Sequence, residues 1–115
     1  MASFELFYEE DEDALEVTFA TFDEHFARAI PLNDHITLHT DSNMGTVWGL
    51  SFYEYKTLLQ VSETYLDELR GLEEMQARRV LNLLSKPPAS AFLELIATGE
   101  LRARVKAPSL QSLLE

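Results

Sequence analysis

The sequence predicts an α+β fold: an antiparallel β-meander of about five strands, followed by two or three helices and a late strand. Three observations predict it. Apolar and polar residues alternate through most of residues 4–52, the period of a half-buried strand. Asp41-Ser42-Asn43-Met44-Gly45 reads as a tight turn between two such runs. From about residue 54 the apolar spacing lengthens to that of a helix.

Phe4, Leu6 and Tyr8 define the first strand, and Leu15, Val17 and Phe19 the second. Between them Glu9, Glu10, Asp11, Glu12 and Asp13 are too charged to bury and suit a hairpin loop. Phe26, Arg28 and Ile30 suggest a third strand ending near Pro31, and Ile36 and Leu38 a fourth. In the turn that follows, Asn43 and Gly45 are the residues suited to positive φ, and residues 47–52 make the fifth strand.

Ser62 is an N-cap candidate for a helix carrying Tyr65, Leu66 and Leu69, with Gly71 as its break. Leu72, Met75, Val80, Leu83 and Leu84 continue an apolar stripe at helical spacing, with Glu74 and Arg78 paired outside it. Pro87-Pro88 ends that helix. Phe92, Leu93, Leu95 and Ile96 then suggest a short third helix capped at Gly99. Leu101, Ala103, Val105 and Ala107 alternate with Arg102, Arg104 and Lys106, an edge strand with one apolar and one basic face. The alternative is strand exchange with a neighbouring subunit. The chain thus reads as a single domain over 1–115: meander 4–53, helical region 54–98, strand 100–107 and tail 108–115.

Charge narrows the function classes. The 115 residues hold 20 acids and 9 bases, a formal net charge of −11. Residues 1–60 carry 12 acids against Arg28 and Lys56, a net of −10, whereas residues 76–115 are net +3. Such a balance repels phosphates and argues against direct DNA or RNA binding. A solvated acidic surface that keeps a small protein soluble is the first account of the asymmetry, and a basic partner for the acidic front, either this chain's own tail or another protein, is the sharper alternative. Cysteine is missing from the sequence, which excludes disulfides, thiol nucleophiles and cysteine-ligated zinc. The start has neither the basic flank nor the apolar run of a secretion signal, and no segment has the ~20 apolar residues of a membrane span. A cytoplasmic protein is the expectation.

Catalytic and metal motifs are thin. His35 and His39 have the i,i+4 spacing that chelates zinc from a helix. On a strand, that spacing puts them ~13 Å apart. Residues 9–13 lack the ligand spacing and central glycine of an EF-hand. Gly49-Leu50-Ser51-Phe52-Tyr53 begins like a nucleophile elbow but lacks its second glycine and its strand–turn–helix context. Trp48, Phe52, Tyr53 and Tyr55 read as a cluster of core aromatics, with ligand stacking as the alternative.

Tyr8-Glu9, Asp13-Ala14-Leu15-Glu16-Val17 and Val47-Trp48-Gly49-Leu50-Ser51 after an acidic, glycine-bearing turn resemble the small bacterial family called domain of unknown function 2283. The likeness covers residues 4–52. It departs from the family pattern at Glu16, which replaces an aromatic, and at Ser51, which replaces a glutamate. The resemblance implies a compact antiparallel sheet without established enzymatic chemistry and with some antitoxin-like partner proteins among its members.

The leading expectation is a non-catalytic acidic interaction protein needing no cofactor or metal. It self-associates as a dimer and also meets a basic protein partner. The contact residues would be Glu9, Glu10, Asp11, Glu12, Asp13, Arg102, Arg104 and Lys106. Two alternatives differ in class: a small metal-dependent or small-molecule enzyme using His35, His39 and nearby carboxylates, and an acidic inhibitor that mimics nucleic acid.

Overall fold

The alternating segments sort into two antiparallel sheets rather than one. The computed structural model describes residues 5–19, 27–61, 63–86, 89–97 and 101–106. Strands β1 (Glu5–Glu9), β2 (Ala14–Thr18), β3 (Ala27–Pro31), β4 (Ile36–Asp41) and β5 (Val47–Tyr53) form a five-stranded sheet in the order β1-β2-β5-β4-β3. Strands β6 (Thr64–Tyr65), β7 (Leu93–Ala97) and β8 (Arg102–Val105) form a second sheet in the order β6-β8-β7. Helices α1 (Tyr55–Gln60) and α2 (Glu74–Leu84), with 3-10 turns at Asp67–Gly71 and Ala89–Ala91, complete an α+β mixture.

The meander expectation is corrected at one step. β2 pairs with β5, not with β3, so the last strand of the sheet is inserted at its centre. Composition explains this. Val47, Gly49, Leu50, Ser51 and Phe52 of β5 are all buried, a pattern that needs a neighbour on each side. Leu15 and Val17 of β2 face Phe52 and Leu50, while Ile36 and Leu38 of β4 face the same two residues from the other side. The approach of β2 also depends on Gly49, where an added Cβ would stand 2.5 Å from the Val17 carbonyl oxygen. At the β4–β5 turn, Met44 rather than Asn43 or Gly45 takes the positive φ of 58°. Burial of its side chain and two amide hydrogen bonds to the Asp41 carboxylate hold that turn.

Two further corrections lie in the back half. Residues 54–98 are not uniformly helical, and the expected third helix at Phe92, Leu93, Leu95 and Ile96 is strand β7. Leu93 and Leu95 face Val105 and Ala103 across the ladder, while Glu94 and Ile96 are exposed. A five-residue segment buries that apolar pair more effectively as a strand than as an isolated helical turn. The expected late strand is present as β8, but it is central instead of edge. It pairs with β6 and β7 of the same chain. Ser62, Pro87, Pro88, Gly99 and the tail 108–115 lie outside the described residues, as do Phe4, His25 and Phe26.

One core joins the two sheets. Leu15, Val17, Ile36, Leu38, Leu50 and Phe52 pack with Leu66, Leu69, Val80, Leu84, Phe92, Leu93, Ala103 and Val105. Val80 and Leu84 seat α2 in this core, whereas Met75 is 78% exposed. Asn33 fastens the sheets with its side-chain amide. Its Nδ2 donates to Thr64 Oγ1 and the Tyr65 carbonyl, and its Oδ1 accepts from the His35 and Ile36 N–H groups. Tyr55 Oη adds a bond to the Lys106 carbonyl.

Candidate functional site

The β1–β2 hairpin places most of the acidic loop in solvent. Its tight turn puts Asp13 at φ 51°, a left-handed conformation that aspartate tolerates better than most residues. Asp13 is committed internally. Its carboxylate accepts from Tyr8 Oη and from the Lys56 N–H, and its carbonyl accepts from the Tyr55 N–H. The Asp13 hydrogen bond, ahead of desolvation and the carboxylate's charge, pushes the Tyr8 phenol up to about 12. Lys56 Nζ lies 5.9 Å above the Tyr8 ring, whose centroid is 6.5 Å from that of Tyr55.

Glu9, Glu10, Asp11 and Glu12 differ from Asp13. All four are exposed, and among the described residues none of them enters an ion pair. Every residue of β1 is also exposed, including Phe7 at 65%, Leu6 at 48% and Tyr8 at 37%. A cleft of about 240 Å³ lined by Phe7, Glu9, Glu12, Ala14, Glu16 and Tyr53 runs from this hairpin onto the outer face of the large sheet. Aromatic surface with a carboxylate rim is the chemistry of a contact for a cation-bearing partner.

A second cleft of about 280 Å³ adjoins it through Glu16 and is lined also by Thr18, His39, Trp48 and Ser51. His39 Nε2 and Ser51 Oγ lie 2.8 Å apart, and Glu16 faces Ser51 across the β2–β5 ladder. Burial lowers the His39 pKa and the Glu16 charge opposes it. This looks like a nucleophile with its base, but two features argue against acyl transfer. Ser51 is only 5% exposed. The strand around it pairs with β2 on one side and β4 on the other, so its amides serve ladders and do not converge on a developing oxyanion.

The other sequence candidates fall apart in space. His35, just before β4, and His39 within it make separate contacts, His35 Nδ1 lying 3.7 Å from Glu54 Oε2 and His39 Nε2 meeting Ser51. Among the described residues no group of three or more histidine, aspartate or glutamate side chains could hold a metal ion. The basic strand is partnered: Arg102 donates to Glu63 at 3.0 Å, Lys106 Nζ is 4.0 Å from Glu94, and Arg104 faces Glu94 in the ladder. Those partners come from the back half, not from the acidic loop.

The core-aromatic reading is corrected by half. Phe52 is buried against Tyr55, with ring centroids 5.6 Å apart, but Trp48 and Tyr53 line the outer clefts. A register shift between His39 and Thr40 sets Val47 opposite Thr40 and leaves Trp48 between ladder positions. The exposure of Phe7 and the His39–Ser51 pair were readable only from strand parity combined with strand order. A third cleft, about 450 Å³, is lined by Arg28, Met44, Met75 and Arg79 beside the β4–β5 turn, where Arg79 donates to the Asn43 carbonyl.

Comparison of the chain with protein-family models, curated proteins and solved structures gives no match. The likeness of residues 4–52 to domain of unknown function 2283 therefore rests on its short motifs. No helix among the described residues is long and apolar enough to cross a membrane.

Proposed function

We propose that this chain is a non-catalytic interaction protein that binds a basic protein partner through its β1–β2 hairpin. One observation carries the reading: β1 is exposed along its whole length, apolar at its centre, and bordered by Glu5, Glu9, Glu10, Asp11 and Glu12, which enter no ion pair among the described residues. Uncompensated charge of one sign steers an oppositely charged protein, and exposed aromatic surface beside it supplies contact area once the partner arrives. An antitoxin-like role fits the same physics, as does a cytoplasmic setting for a cysteine-free chain.

The contact set changes from the one the sequence suggests. Glu9, Glu10, Asp11 and Glu12 stay in it, joined by Glu5 and Phe7. Asp13 serves the hairpin's own anchorage, and Arg102, Arg104 and Lys106 serve the small sheet. Capture from the native host with the wild-type chain and with Glu9→Lys/Glu10→Lys/Glu12→Lys tests the reading. The wild type should retain a basic protein that moderate salt releases and the variant does not hold. Equal capture by both chains would refute it.

A further inference from the structure

We infer that β1 is a strand-addition edge. Its occupant is an extended segment of a partner protein with an apolar middle and a lysine or arginine at each end. This rests on the interaction reading above and specifies its geometry. Among the described residues β1 pairs with β2 along one side only, in an unbroken register from Glu5↔Thr18 to Glu9↔Ala14. Its other side presents the unused half of a β-ladder, a ready template for another strand.

The remaining edges of the two sheets are guarded, and β1 is not. β3, at the opposite edge of the same sheet, carries Pro31 and Arg28. In the small sheet β6 is two residues long and β7 has a register shift between Leu95 and Ala97. Short length, proline, cations and bulges are the usual means of closing an edge. β1 has five residues, no proline, no cation and no bulge, with Leu6, Phe7 and Tyr8 exposed between Glu5 and Glu9.

The two glutamates guard selectively. If a second copy paired β1 antiparallel about Phe7, Glu5 of each chain would face Glu9 of the other. Like charges directly opposite disfavour that pairing at both ends. A strand with lysine or arginine at those two positions gains opposite-charge pairs instead, and apolar residues at its middle three meet Leu6, Phe7 and Tyr8. The edge is thus closed to copies of itself and open to a cationic strand, and the net −10 of residues 1–60 draws such a segment in.

The test uses the full chain and a synthetic peptide with the core Lys-Val-Ile-Val-Lys between Gly-Ser flanks. A control peptide has proline for both valines, the residues that would bond the outward-facing Leu6 and Tyr8, and the same charge. Binding should be at least tenfold weaker for the proline peptide, and alternate β1 amides should gain protection from hydrogen exchange on adding the Lys-Val-Ile-Val-Lys peptide. Leu6→Pro in the protein, which removes an outward-facing N–H and leaves the β2 ladder intact, should lose that protection while keeping its circular dichroism, and Glu5→Lys/Glu9→Lys should reverse the preference toward a Glu-Val-Ile-Val-Glu peptide. Equal binding of both lysine peptides without new amide protection would overturn strand addition, yet leave charge-driven binding by the hairpin intact. Full protection of alternate β1 amides before any peptide is added would also overturn it, since the edge would already be occupied. Failure of the lysine peptide to bind at low salt would overturn it too, with host capture by the hairpin variant still deciding the broader reading.

Discussion

The two sheets treat charge in opposite ways. In the small sheet, Arg102 and Lys106 of the β8 segment each face a glutamate of their own chain, Glu63 and Glu94. In the large sheet the charges of the β1–β2 hairpin share one sign, and Glu9, Glu10, Asp11 and Glu12 make no ion pair among the described residues. The small sheet is electrostatically complete within the molecule, whereas the hairpin is not. Exposed like charges separated by a few ångströms repel one another, so the hairpin acids are a mild cost to the isolated fold. A partner of opposite charge turns that cost into attraction. The contrast locates a contact surface more sharply than the total charge does.

The comparison holds only if the sheets fold together, and Phe92→Ala is the strongest challenge to it. Phe92 is buried between them, entering β7 and lying 5.8 Å from the Phe19 ring beyond β2. Its removal should cost about 3–5 kcal/mol, the range for deleting a buried aromatic. Trp48, the chain's one tryptophan, reports on the large sheet by fluorescence, and amide exchange at β8 reports on the small one. Both probes should move in one transition. Two separate transitions would make the sheets independent units.

Asn33→Ala comes next, at about 2–3 kcal/mol, since it removes four hydrogen bonds and leaves part-buried Thr64 and Tyr65 groups without their donor. Asn33→Asp should also destabilise, because it keeps the acceptor and sets a carboxylate oxygen against the Tyr65 carbonyl. Chemical denaturation of the three proteins checks this. An Asn33→Asp chain as stable as wild type would show that the contact to β6 contributes little.

Much of this fold is legible in the sequence, and the failures have physical causes. Period-2 alternation locates β1, β2, β4 and β5 and even the basic strand β8, because side-chain parity is a local property. Strand order is not local. Nothing near Val47 says that β5 enters between β2 and β4, and the small glycine that permits it, Gly49, clears a backbone some thirty residues earlier in the chain. The apolar run from Phe92 to Ile96 was ambiguous for the same reason, since its partner at β8 decides between helix and strand. The acidic loop was visible as charge, but the different fate of Asp13 depends on Tyr8 and Lys56, which only the folded hairpin brings to it.

Neutralising one acid in each sheet sharpens the contrast directly. Glu63→Gln should cost about 0.5–1 kcal/mol, as the Glu63–Arg102 pair is partly shielded from solvent. Glu12→Gln should leave stability unchanged or raise it slightly, by relieving repulsion within the hairpin. A loss at Glu12 as large as that at Glu63 would erase the distinction. On the outer face, His39 titrates below its ordinary value because burial outweighs Glu16. Its contribution to stability is therefore full above pH ~6.5 and lost as pH falls through the lowered folded value. Glu16→Gln should lower the His39 pKa further by NMR, and an upward shift would contradict the assignment of Glu16 as the opposing charge.

The smallest effect divides the hairpin itself. Tyr8 donates to Asp13, and that bond raises the phenol pKa to about 12. With the folded value above the unfolded one, the bond's contribution is complete below pH ~10 and lost as pH rises through about 12. Asp13→Asn should return the phenol toward ~10 in an ultraviolet titration, since it removes both the carboxylate acceptor and its charge. Glu10→Gln should shift it far less, because Glu10 acts only through space and ranks last among the causes. Equal shifts from the two variants would mean that the phenol senses the hairpin's charge as a whole. Asp13 would then be one more member of the acidic cluster, and the separation of an anchoring acid from partner-facing acids would fail.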